Sequence, residues 1–129
     1  MSAVALDASA LLALLLNEPG ADVVAETLVD ARMSSVNYAE VVSHFIHLGM
    51  PAAQVSAMLR PLPVAVIDAD LSLATTAGQL RAATAEAGLS LGDRFCLALA
   101  QRDGIPAQTA DRQWRNITEA VGVEITLIC

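Results

Sequence analysis

Val4-Ala5-Leu6-Asp7-Ala8-Ser9-Ala10-Leu11-Leu12-Ala13-Leu14-Leu15-Leu16-Asn17-Glu18-Pro19-Gly20 is the stretch on which the fold turns. The apolar run Ala3–Leu6 reads as a short strand that closes on a carboxylate, Asp7. Ala8–Leu16 then reads as a helix, stopped by Asn17-Glu18-Pro19-Gly20. A strand that passes straight into a helix is the first half of a crossover unit, and the same alternation continues down the chain.

Beyond it, Ala21–Ala31 carries Val24, Leu28 and alanines at helical spacing. Arg32–Ser34 is a brief second strand. Val36–Leu48 is helical with Gly49 as its stop, and Pro51 opens a helix that runs to about Leu59. Val64–Ile67 is a third strand, Leu71–Ala87 a long helix ended by Gly88, and Leu91–Arg102 a helix before Gly104 and Pro106. Ala107–Thr109 is a fourth strand, Arg112–Ala120 a helix and Glu124–Ile128 a fifth strand. The alternation predicts an α/β fold, a three-layer α/β/α sandwich around a five-stranded, mainly parallel sheet. At 129 residues the expectation is a single domain, residues 1–129, large enough to bury a core without disulfides.

Composition narrows the function. The chain is 55% hydrophobic with 3% aromatics, so alanine, leucine and valine must build the core. No apolar run is long enough to span a bilayer, and no basic segment precedes an apolar stretch, so a cytoplasmic location is expected. Cys96 and Cys129 form no motif and read as reduced. The formal net charge is −7, and every basic side chain is arginine, seven in all. A broad basic surface for nucleic acid is thereby excluded, and contact with RNA would have to run through metal ions and local arginines.

Asp7, Glu40, Asp93 and Asp111 are far apart in sequence, yet each is predicted at the carboxyl end of a strand or in the first turn of a helix. Ligands of open α/β sheets gather at that edge. Taken singly, each acid is explained as a helix cap: Asp7 before Ala8, Asn37 with Glu40 and Ser90 with Asp93 as capping boxes, Asp111 before the helix carrying Trp114. Taken together, four converging carboxylates repel one another, and a hard divalent ion such as Mg²⁺ or Mn²⁺ relieves that repulsion.

The strings around these acids resemble a family. Val4-Ala5-Leu6-Asp7-Ala8-Ser9-Ala10-Leu11 resembles the opening of PIN-domain ribonucleases. Leu89-Ser90-Leu91-Gly92-Asp93-Arg94-Phe95-Cys96-Leu97-Ala98-Leu99-Ala100 resembles the third-acid helix of the VapC toxins within that family. Thr109-Ala110-Asp111-Arg112-Gln113-Trp114 resembles their last acidic motif, and Glu40 in Asn37-Tyr38-Ala39-Glu40-Val41 occupies the place of their helix-borne glutamate. The resemblance implies a PIN-like fold and a Mg²⁺-dependent endoribonuclease, with Mn²⁺ able to substitute. RNA phosphodiesters would be hydrolysed through a metal-activated water. It implies the toxin of a type II toxin–antitoxin pair, neutralised by a VapB-like antitoxin and forming a homodimer. Asp7, Glu40, Asp93 and Asp111 would hold the metal. Ser9, Thr109 and Arg112 would support the acids or face phosphate. Some relatives carry a further acid after the last motif; here Arg115 and Asn116 fill that stretch, so one metal position is expected and a second stays open. A catalytically inactive PIN-like module that binds a protein or RNA is the alternative.

Three other features have simpler readings. Asp68-Ala69-Asp70 resembles the nucleophile motif of haloacid-dehalogenase phosphatases, but the chain has no lysine, and Asp70 is expected to cap the following helix. His44 and His47 lack the further ligands of a zinc site and are expected at the surface. Arg94, Arg112 and Arg115 lie near the acids in sequence and could pair with carboxylates or with RNA phosphates, a local ion pair being the simpler reading.

Overall fold

The computed structural model describes residues 2–129. Five strands, β1 (Val4–Leu6), β2 (Ala31–Ser34), β3 (Ala65–Ile67), β4 (Ala107–Thr109) and β5 (Ile125–Leu127), form one sheet in the order β3-β2-β1-β4-β5. Every adjacent pair is parallel. Eight α-helices connect or follow the strands: α1 (Ala8–Leu15), α2 (Ala21–Thr27), α3 (Ser35–His47), α4 (Ala52–Leu59), α5 (Leu71–Gln79), α6 (Arg81–Thr84), α7 (Leu91–Asp103) and α8 (Thr118–Val121).

Strand alternation divides the core into two layers. Val4 and Leu6 face one side with Met33, packing against Leu11, Val24, Val41, Phe45 and Val55 from α1 to α4. Ala5 and Ala107 face the other side, against Leu73, Phe95, Leu97, Leu99 and Val121 from α5, α7 and α8. Small residues on the second face let α7 lie close over the strands. The fully buried Cys96 fills the space between α7 and β1, its thiol meeting the Ala5 carbonyl at 3.7 Å.

Most boundaries agree with the sequence reading to within a residue or two, and three do not. The helix expected over Ala21–Ala31 ends at Thr27, passes through a 3-10 turn at Leu28–Asp30, and releases Ala31 into β2, where it pairs with Val4. The long helix expected over Leu71–Ala87 breaks at Leu80 into α5, α6 and a 3-10 turn at Ala85–Ala87. Thr84 is fully buried there, its hydroxyl donating to the Leu80 carbonyl (2.8 Å) and accepting from Arg94 Nε (2.9 Å). A threonine bonded back to residue i−4 bends a helix. The helix expected over Arg112–Ala120 is a 3-10 turn at Arg112–Trp114 followed by α8. Asp111 there caps a tight turn by accepting from Gln113 N–H, and Trp114 is buried beneath it.

Gly20 joins α1 to α2 with φ +94°, and a Cβ on it would lie 2.6 Å from the Ile128 carbonyl oxygen. Only glycine meets both demands. The order of the strands places the topological switch between β1 and β4, with connections leaving in opposite directions. Side chains at the carboxyl ends of these two strands therefore border a crevice.

Candidate metal centre

Asp7 ends β1 at that crevice. Its Oδ1 accepts from Ala10 N–H (2.9 Å) and from Ser9 Oγ (2.8 Å), and its Oδ2 accepts from Thr109 Oγ1 (2.6 Å). Ser9 Oγ also accepts from Ala110 N–H (2.9 Å), and Thr109 Oγ1 accepts from Asp111 N–H (3.0 Å). The two hydroxyls therefore tie the end of β1 to the end of β4 and hold Asp7 in one orientation. Asp7 is 3% exposed, and burial pushes its carboxyl up to about 6 despite the three hydrogen bonds, with the charge of Asp93 adding to the rise.

Asp93 lies in the first turn of α7, where Ser90 and Asp93 form the expected capping box: Ser90 N–H donates to Asp93 Oδ2 (2.8 Å) and Asp93 N–H donates to Ser90 Oγ (3.2 Å). Burial raises its carboxyl and the charge of Asp111 adds to the rise, while the Ser90 bonds and the Arg94 charge offset part of it. Asp111 follows β4 and is half-buried. Glu40 requires a correction: it sits in the second turn of α3, and no capping box forms with Asn37, because Ser34 caps the helix. Asn37 instead donates through Nδ2 to Glu40 Oε1 (2.8 Å) and to the Gly92 carbonyl (2.9 Å), joining α3 to α7 from a fully buried position. A Cβ on Gly92 would lie 2.6 Å from Glu40 Oε1, so the absence of a side chain there lets the glutamate approach α7.

The four acids act on one another or on a common neighbour. The thiol of Cys96, buried under α7, is driven well above its ordinary value by burial and then by Asp7, Asp93 and Glu40 together. Such a thiol is not a nucleophile.

The donor set suits a hard divalent ion. All four groups offer oxygen, and the innermost is buried with no ion-paired cation: the ion pairs among the described residues are Arg32–Asp103 (2.9 Å) and Arg102–Asp103 (2.8 Å), which involve none of the four. Among the described residues no three His, Cys, Asp or Glu side chains close around a common point. Asp7, Glu40, Asp93 and Asp111 are each held by their own local partners. The arrangement fits an ion that takes some of these carboxylates directly and meets the others through the waters it keeps.

The remaining sequence expectations divide. Asp70 caps α5, accepting from Leu73 N–H (2.8 Å). His47 is exposed and His44 half-buried. Among the described residues the local ion pairs expected for Arg94, Arg112 and Arg115 do not form. Arg112 and Arg115 are exposed, whereas Arg94 is buried and bonded to Thr84. The roles of Asn37 and Gly92, and the burial of Arg94 against Thr84, escaped sequence reasoning, since each depends on a neighbour from another helix.

The PIN domain family model matches residues 4–120. No curated protein matches significantly by sequence. The structure is similar to the DNA-bound VapBC of Salmonella typhimurium, with a TM-score of 0.74 and 19% identity over 100% of each chain. It is also similar to a toxin–antitoxin complex from Klebsiella pneumoniae, with a TM-score of 0.72 and 20% identity over 99% of this chain and 98% of the other. A third likeness is to VapBC2 of Rickettsia felis bound to a promoter DNA fragment, with a TM-score of 0.71 and 16% identity over 98% of both chains. With the family model spanning four of the five strands and every one of the four acids, the chain belongs to the PIN-domain family.

Proposed function

We propose that the chain is a divalent-metal-dependent endoribonuclease, the toxin of a VapBC-like pair, acting in the cytoplasm as one domain over residues 1–129. The observation that carries this reading is Asp7: a carboxylate 3% exposed, without an ion-paired cation and raised to about 6. It stands at the β1–β4 crevice among other acids. A buried carboxylate that has hydrogen bonds but no counter-ion among the described residues is a poor structural device and a good ion ligand.

Asp7, Glu40, Asp93 and Asp111 are the residues that would hold Mg²⁺ or Mn²⁺. The bound ion would supply an activated water and stabilise charge developing on the phosphate. Ser9 and Thr109 keep the Asp7 carboxylate in one orientation. Asn37 and Gly92 keep Glu40 against α7. Arg112, exposed and next to Asp111 in the chain, is available to an RNA phosphate. The likeness to VapBC complexes supports a VapB-like antitoxin as partner, and a homodimer is part of the same reading.

Asp7→Asn and Asp93→Asn are each expected to abolish RNA cleavage and growth inhibition while the protein stays folded. Full activity in either variant, with chelator controls, would sink the mechanism. One observation favours a second reading, an inactive PIN-like module that binds protein or RNA: among the described residues no three acids close around one point. Calorimetric titration with Mn²⁺ separates the two, since a wild type that takes up no metal is the module.

A further inference from the structure

We propose that a cleft at the start of α7 is a binding subsite for a backbone phosphate of the RNA strand; this rests on the ribonuclease reading above. The cleft has a volume of about 510 Å³ and is lined by Gly78, Arg81, Gly88, Ser90 and Arg94, among others.

Arg94 is the central observation. It is 6% exposed, and a buried arginine normally meets a carboxylate. Here its Nε donates to the Thr84 hydroxyl, and its terminal nitrogens have no acceptor among the described residues. Neither acid of the surrounding stretch, Glu86 or Asp93, lines the cleft. Asp93 feels the Arg94 charge but forms no ion pair with it, being bonded to Ser90 in the capping box. A guanidinium fixed at Nε presents its remaining N–H groups as a fork, the geometry that takes two oxygens of a phosphate.

The surroundings favour the same ligand. Arg81, exposed and without an ion pair among the described residues, brings a second positive charge. Gly88 lies against Gln113, on the turn that carries Arg112 and precedes Arg115, so the segments bearing four arginines outside any ion pair adjoin. On a chain with net charge −7, Arg81 and Arg94 in one cleft, at the helix start that bears Asp93, give a polyanion a place to be held while a neighbouring linkage meets the carboxylates. A phosphodiester fits better than a protein carboxylate because a strand that reaches the acids carries such groups at every step.

The test uses a short fluorescein-labelled single-stranded RNA, with binding read by anisotropy over a salt series in Ca²⁺. The same RNA is prepared with one phosphate at a time replaced by a neutral methylphosphonate, and cleavage in Mn²⁺ is followed in parallel. Arg94→Gln is expected to weaken binding about tenfold, the scale of one charge-assisted hydrogen bond. It should also lower the salt slope by about 0.7 for each phosphate no longer engaged. One methylphosphonate position should weaken the wild type and leave Arg94→Gln unchanged. Arg81→Ala, at an exposed site, provides the same comparison should Arg94→Gln fail to fold. Binding and cleavage by the wild type with no such position for either variant overturns the cleft alone. A wild type that neither binds nor cleaves RNA overturns the ribonuclease reading along with it. Loss of a protein partner with RNA binding intact would assign the cleft to a carboxylate and overturn the proposal.

Discussion

Asp7→Asn is expected to make the protein more stable at neutral pH while destroying its proposed activity. The Asp7 carboxyl rises from 3.8 to about 6 in the fold. Two units correspond to about 3 kcal/mol of preference for the neutral form. Because the folded value lies above the unfolded one, the fold holds the extra proton between about pH 4 and pH 6. Stability from this group is fully present below about pH 4 and is lost as pH rises through about 6. Asparagine is neutral at every pH and keeps the Oδ1 acceptor for Ala10 N–H, while its amide can donate to the Ser9 and Thr109 hydroxyls. Allowing for relaxation and altered hydrogen bonds, a gain of about 1–2 kcal/mol at pH 7 is expected, or roughly 4–8 °C in Tm. Thermal melts of both proteins at about pH 7 and pH 4 check this, and the difference should shrink at the lower pH. Excess Mn²⁺ should stabilise the wild type by about 2.7 kcal/mol at a hundred times Kd, which raises its Tm, and leave the variant unmoved. A variant destabilised equally at both pH values, with both proteins indifferent to Mn²⁺, would refute the reasoning and make Asp7 a structural cap.

Three further outcomes are expected. Thr109→Val removes the 2.6 Å hydrogen bond to Asp7 Oδ2, which favours the charged form, so the acid limb of the pH–rate profile should move to higher pH. Gly92→Ala should fold, since Glu40 is exposed and can swing away; displacing that carboxylate is expected to lower cleavage to the same extent as Glu40→Gln, with circular dichroism confirming the fold. Asn37→Ala severs the bond that joins α3 to the Gly92 carbonyl on α7 and the one that holds Glu40, and denaturant melts should show a loss of about 1–3 kcal/mol.

The architecture was legible from the chain alone. Alternating apolar runs and helical periods, with Asn17–Gly20, Gly49, Gly88 and Gly104 as stops, located all five strands and the alternation that makes a sheet parallel. The four acids stood out for the same reason, because strand ends and helix caps are local features written in a few adjacent residues. The places where local reading failed are informative too. The breaks at Leu80 and after Trp114 accompany the inward turn of Thr84 and Trp114 toward partners on other elements. Four facts emerged only once the elements had packed together. Asp7 is the deeply buried acid, and Glu40 is an exposed one in a second turn. Gly92 makes room for that glutamate, and Arg94 goes without a carboxylate among the described residues. Burial and the charge around a group are set by what packs on it from other elements, and no spacing rule within one segment carries that information.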